Sequence, residues 1–194
     1  GLSGTAVLPK ASCGRCARIT GEQEQLVLRG PLWAVRVYRA LRSRTQHRHA
    51  PKTYPLTLVR GGEEAVIRLP VDEYPILLHF PLFAPPAFLE ASGYVSGIRV
   101  SGAATVSFGP RPEEVAKRQG ATTVRLTQSV RPVAFARVLA KIAYAMAAAE
   151  GALGRIEKPP LVLPAILGES DDIGMWVGTI TDPIKKFTGL LHRI

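Results

Sequence analysis

Cysteine is nearly absent. The 194 residues hold two, Cys13 and Cys16, three positions apart, and such a pair cannot staple a chain this long. That excludes a disulfide-framed secreted fold and fits a reducing cytoplasm, the expected location. Long apolar runs are also missing. The most apolar segment, YPILLHFPLFAPPAFL at 74–89, is interrupted by four prolines and His79. It cannot form a regular membrane-spanning helix, so no membrane partner is expected and burial in a core is its expected role. No basic stretch leads into an apolar run at the N-terminus, and the chain does not begin with Met, which suggests that residues precede Gly1. The fingerprints of nucleotide-binding loops, serine-hydrolase elbows and dinucleotide sites are absent, and there is no internal repeat.

Acidic residues are scarce in one place. Between Lys10 and Arg60 eleven Lys/Arg face two acids, Glu22 and Glu24, a net +9, whereas the rest of the chain has fourteen bases and thirteen acids. Nearly all of the +10 net charge therefore sits in one quarter of the sequence. Arginine dominates the block, and its guanidinium pairs with phosphate in two parallel hydrogen bonds. A solvated face that serves only solubility interleaves both signs. The block points instead to a polyanion, with Lys10, Arg15, Arg18, Arg29, Arg36, Arg39, Arg42 and Arg44 as the candidate nucleic-acid contacts.

With 46% hydrophobic and 21% charged residues, 18 glycines and 16 prolines, the composition is that of a globular chain with many turns. A short strand is expected before Pro9. Thr20, with Gln23 three places later, has capping-box spacing and predicts a helix from there. Pro31 suits the first turn of a second helix over 31–44. On its wheel Trp33, Ala34, Val37, Tyr38 and Leu41 share one side, and Arg36, Arg39 and Arg42 step along the other. Residues 53–59 and 63–69, joined by Arg60-Gly61-Gly62, read as a β-hairpin. Strands are expected within 96–109 and 122–128, with a short helix at 112–118 between them. The clearest helix is 131–150, capped by Ser129, with Pro132 in its first turn and Phe135, Leu139, Ile142, Met146 and Leu153 on one face. A proline-rich connector (158–164), an acidic turn at Glu169–Asp172 and a strand near 173–180 complete the chain.

Cys13-Gly14-Arg15-Cys16 is half of a tetrahedral metal site. Its residues alone leave three readings open: a zinc pair awaiting two more ligands, free thiols, or a redox pair, which would call for a βαβ order. His47 and His49 stand too close together for zinc-finger spacing. His79 lies in the apolar run as a hydrogen-bonded core residue, and His192 is terminal. Glu113, Glu114 and Lys117 form E-x-x-K rather than the E-x-K of one nuclease class, and Asp171-Asp172 reads as an exposed turn.

The run GLSGTAVLPKASCGRCARITGEQEQLVLRG resembles the C-terminal half of the ββα-metal motif of bacterial HNH endonuclease family proteins that carry a four-cysteine zinc site. Leu2-Ser3-Gly4 matches the family's turn and Val7-Leu8-Pro9 the segment after it. Cys13 and Cys16 match the second zinc pair, and Gly21 with Glu24 the helix that follows. Thr5 or Ala6 stands near the usual Asn, and Ala17 follows Cys16 where Asn is common. The resemblance covers about the first thirty of 194 residues. It implies a structural zinc on Cys13 and Cys16, a divalent cation such as magnesium for catalysis, DNA as partner, and hydrolysis of phosphodiester bonds by a His-activated water. The general-base His, its acidic neighbour and the first CxxC would precede Gly1, so the chain alone is expected to be inactive and no catalytic residue is assigned within it.

The expected fold is α+β. It comprises a truncated zinc-binding ββα-like N-terminal module (1–30), a basic helix and linker (31–52), and a domain of unassigned role (53–194) whose mostly antiparallel sheet is packed by the long helix. The alternative function is a non-catalytic basic nucleic-acid-binding or scaffold domain with a structural CxxC. A third reading gives the β-rich part to a partner or ligand. Target specificity and oligomeric state are not legible.

Overall fold

Alternation of apolar residues in TYPLTLVR makes strand β1 (Thr53–Arg60), which buries Tyr54, Leu56 and Leu58 on one face. It turns through Gly61 and Gly62, both at positive φ (56° and 92°), into strand β2 (Glu63–Pro70). Two successive positive-φ residues give the turn a twist that matches paired strands, which glycine alone adopts without strain. The strands pair antiparallel with Arg60 opposite Glu63 and Thr53 opposite Pro70, and strand β5 (Thr123–Arg125) adds antiparallel to the other edge of β1. This hairpin is the one expected. The computed structural model describes residues 12–41, 51–90, 93–155 and 161–180. The expected short strand before Pro9 lies outside them.

Among the described residues the architecture is α+β, with seven α-helices and two small antiparallel sheets. The second sheet pairs β3 (Ile76–Phe83) with β4 (Val100–Phe108). The helices are α1 (Gly14–Leu28), α2 (Trp33–Tyr38), α3 (Ala87–Glu90), α4 (Pro112–Arg118), α5 (Pro132–Ala149), α6 (Leu163–Leu167) and α7 (Ile173–Trp176). The chain divides into two compact units. The first takes in Val27–Phe80 and Ala104–Val130, and the second Pro81–Ala103 with the described parts of Leu8–Leu26 and Arg131–Ile194.

In the first unit Leu56, Leu58 and Leu69 of the hairpin pack with Val115 of α4, so the three-stranded sheet is covered by α4 rather than by the long helix. A neighbouring cluster joins Val35 of α2 to Ile76 and Leu78 of β3. The apolar run supplies part of the core, as expected: Pro75, Ile76, Leu78, Pro81, Phe83, Pro86 and Ala87 are buried, while Leu82, Pro85, Phe88 and Leu89 are exposed. His79 is half-buried rather than a core residue, and its ring Nδ1 lies 2.8 Å from Thr105 Oγ1.

The second unit is built on α5. Its long helix was legible to within one residue at each end, but its buried face was not. Ala136 and Ala140 are buried with Ala165, Ile166, Ile173 and Phe83, whereas Ile142 and Met146 are 51% and 53% exposed and Leu139 is also exposed. Small residues let α6 and α7 approach α5 closely, which the bulkier stripe would have prevented. Only Phe135 of that stripe packs partly on the cluster. Helix α5 also packs against α1, where Lys141 Nζ and Glu24 Oε1 form a half-buried ion pair. Its N-cap is Arg131, with Pro132 in the first turn and no side-chain cap, so Ser129 does not serve as one.

Two further expectations are corrected here. Residues 173–176 are helical, not extended. The carbonyl of Asp172 accepts Met175 N–H at 2.8 Å, its carboxylate accepts Trp176 Nε1–H at 3.3 Å, and Gly174 N–H donates to Gly97 O at 2.8 Å. The connector's last residues, Leu163 and Pro164, begin α6, which ends at Gly168 in the left-handed region (φ 73°).

Candidate zinc pair and nucleic-acid interface

Helix α1 begins immediately after Cys13, well before Thr20, where it was expected to start. Cys13 itself is the cap. Its carbonyl accepts Ala17 N–H at 2.9 Å, and its Sγ accepts Cys16 N–H at 3.3 Å, which satisfies one of the free donors at the helix start. Thr20 is buried in mid-helix, and its hydroxyl donates back to Cys16 O at 2.9 Å, the arrangement short hydroxyl side chains adopt inside helices.

This start brings the two thiols together. Cys13 Sγ and Cys16 Sγ are 3.1 Å apart, unbridged, with Cys13 exposed and Cys16 half-buried. Hydrogen bonding from Cys16, its backbone N–H first, holds the Cys13 thiol below the usual thiol range. The same sulfur contact pushes Cys16 up. Two thiolates on one tetrahedral zinc, each at about 2.3 Å, lie roughly 3.8 Å apart. The observed spacing is shorter by an amount that rotation of an exposed side chain supplies, so the pair fits as two of four zinc donors. Among the described residues no group of three or more His, Cys, Asp or Glu converges where a metal would sit. His47, His49 and His192 lie outside them.

The candidate nucleic-acid residues separate into distinct environments. Arg15 and Arg18 project from the first turns of α1 into solvent, and Arg15 meets Glu169 at 3.4 Å in an exposed pair of little energetic weight. Arg29 follows α1 and is exposed. Arg36 departs from the expected outward stripe. Its Nη1 donates to the carbonyl of Leu28 at 3.2 Å, at the C-terminal end of α1, and its Nε is buried. A cation there complements a helix C-terminus, so Arg36 ties the α1–α2 turn. Arg39 is exposed at the C-cap of α2. Lys10, Arg42 and Arg44 lie outside the described residues.

Helix α2 is shorter than the expected 31–44. Ala40 takes positive φ (47°), with Leu41 N–H on Arg36 O at 2.9 Å and Ala40 N–H on Val37 O at 3.0 Å, the paired bonds of a Schellman stop. Tyr38 and Leu41 are consequently exposed, and Val35 is the buried residue of α2. Glu114 of the E-x-x-K run is engaged by Arg111 at 2.7 Å, and Asp171 accepts Ser96 Oγ–H at 2.9 Å. Both are accounted for by local structure.

A cleft missed by sequence reasoning lies in the first unit. It measures about 440 Å³ and is walled by Arg29, Trp33, Tyr54, Tyr74, Arg125 and Thr127, among others. These come from the α1–α2 turn, β1, the start of β3 and the residues at β5. Aromatic residues between basic ones were the available signal, but their separation in sequence hid it.

Comparisons with protein-family models, with curated proteins and with solved structures find no match to this chain.

Proposed function

We propose that this chain carries the second zinc pair and the basic arm of an HNH-type, metal-dependent DNA endonuclease. The observation that carries the reading is the convergence of Cys13 and Cys16 at the start of α1, 3.1 Å apart, with Cys13 exposed and Cys16 half-buried. It coincides with the order of small motifs in residues 1–30. Zinc, when bound, would tie the loop before α1 to a second pair of cysteines outside the numbered chain. A divalent cation such as magnesium would polarise the scissile phosphate in the complete site. The general-base His belongs with that second pair, and no described residue is given a catalytic role. Within the chain, Cys13 and Cys16 hold the fold of the module, while Arg15, Arg18 and Arg39 offer exposed guanidinium groups to phosphate.

A non-catalytic basic binding domain is the second reading. It is favoured by the exposure of Arg18, Arg29 and Arg39, which can meet phosphate with no metal bound.

Reading the gene upstream of Gly1 separates the two. A CxxC and an acid-His pair in frame, and magnesium-dependent nicking of plasmid DNA by that full product, are expected. An in-frame start codon directly before Gly1 would contradict the endonuclease. Arg39→Glu is expected to weaken DNA binding and flatten its salt dependence by about one phosphate contact with folding intact. Arg36→Glu should instead impair folding.

A further inference from the structure

The aromatic cleft of the first unit has a chemistry of its own. Tyr54 is 8% exposed, and its ring lies 5.3 Å from that of Tyr74, tilted by 34°. Burial pushes both phenols above the usual tyrosine range, so both remain O–H groups. Trp33 Nε1 and Tyr54 Oη are buried, and neither meets a partner at hydrogen-bond geometry. The indole N–H nevertheless faces the phenol closely enough to offset part of the effect of burial. Trp33 and Tyr54 both line the cleft, so a carbonyl or hydroxyl group entering it brings an acceptor to the side of the molecule where their polar atoms are under-satisfied.

The rim is basic. Arg29 and Arg125 are both exposed there, Arg125 held by Glu64, and none of the described residues that line the cleft is acidic. The volume falls in the range of small-molecule sites, about 300–1,000 Å³. A planar group with polar edges and an attached anion matches each feature, because a base stacks on aromatic rings while its phosphate meets arginine.

We propose that this cleft holds one unpaired nucleobase of a nucleic-acid strand, with the adjoining phosphate on Arg29. The inference goes beyond the zinc-pair reading and requires no metal.

The chain has two tryptophans, Trp33 and Trp176, so Trp176→Phe leaves Trp33 as the reporter in the cleft. Titration with a short thymidine oligonucleotide should quench its emission saturably. An abasic strand with the same number of phosphates should leave it unchanged. Arg29→Ala, at an exposed position, should weaken the quench about five- to tenfold, the effect of one charge-assisted hydrogen bond. Equal quenching by the abasic strand, or binding of the thymidine strand without any quench, overturns the proposal. If Trp176→Phe does not fold, the indole N–H resonances of the unaltered chain replace the emission: that of Trp33 should move with the thymidine strand and that of Trp176 should stay, and a stationary Trp33 resonance overturns the proposal. A failed quench with zinc still bound removes this inference alone, and loss of zinc with the quench intact removes only the zinc pair.

Discussion

The two units bury different things. The first hides large aliphatic side chains on alternating strand positions, with Leu56 and Leu58 almost wholly enclosed, whereas the second hides alanines of a long helix and leaves Leu139, Ile142 and Met146 of that helix in solvent. Strand periodicity in β1 identifies both the element and its inner face, because its apolar residues alternate and so fall on one of two faces. Helix periodicity in a segment such as PVAFARVLAKIAYAMAAA identifies the element only. When nearly every side is apolar, the inner face is chosen by how closely neighbours must approach, and there small side chains win. By length and composition α5 could also cross a membrane, which shows how little composition says about what a helix faces.

Core truncation should separate the units most sharply. Leu58→Ala empties a fully enclosed site and is expected to cost about 2–5 kcal/mol in chemical denaturation. Ile142→Ala on the exposed side of α5 should stay within about 0.5 kcal/mol. Equal losses would mean that the exposed stripe of α5 is covered in solution.

Next in size is a backbone clash. A Cβ at Gly178 would meet the Pro86 ring and, at 2.5 Å, the carbonyl of Ala84. Neither is the movable end of a side chain. Gly178→Ala is therefore expected to destabilise the second unit by about 1–3 kcal/mol, read as a lowered thermal midpoint.

Smaller and opposite exchanges test one helix in each unit. Gly21 sits inside α1 with open space where a Cβ would go, so Gly21→Ala should stabilise by about 0.5–1 kcal/mol. Ala40 carries positive φ at the stop of α2. There Ala40→Gly should stabilise by up to about 1 kcal/mol, through relief of left-handed strain.

The smallest effect is electrostatic. The Arg111 guanidinium, followed by its backbone N–H, holds the Glu114 carboxyl below the usual carboxylate range. A group with a depressed folded pKa adds stability above its unfolded value, and that addition disappears as pH falls through the folded one. Glu114→Gln should thus lower stability slightly near neutrality and have no effect in acid. An effect that grows in acid would contradict the pairing.

Much of the first unit was legible in the residues alone. The glycine pair placed the hairpin, and α4 spans the expected 112–118. What stayed hidden had local causes. Cys13 rather than Thr20 starts α1, because sulfur is an unfamiliar cap. A helix as short as Ile173–Trp176 has no period to read, and it follows from bonds to Asp172 and Gly97. Arg36 looked like its neighbours on the wheel, but the end of α1 claims it. The cysteine pair was visible as a site, while the cleft exists only once four separate segments meet.

Metal content of the full gene product tests the central claim most directly. Elemental analysis should give about one zinc per chain, lost together with the folded N-terminal module in Cys13→Ser and in Cys16→Ser. A metal-free protein whose fold and DNA binding survive both substitutions would contradict it.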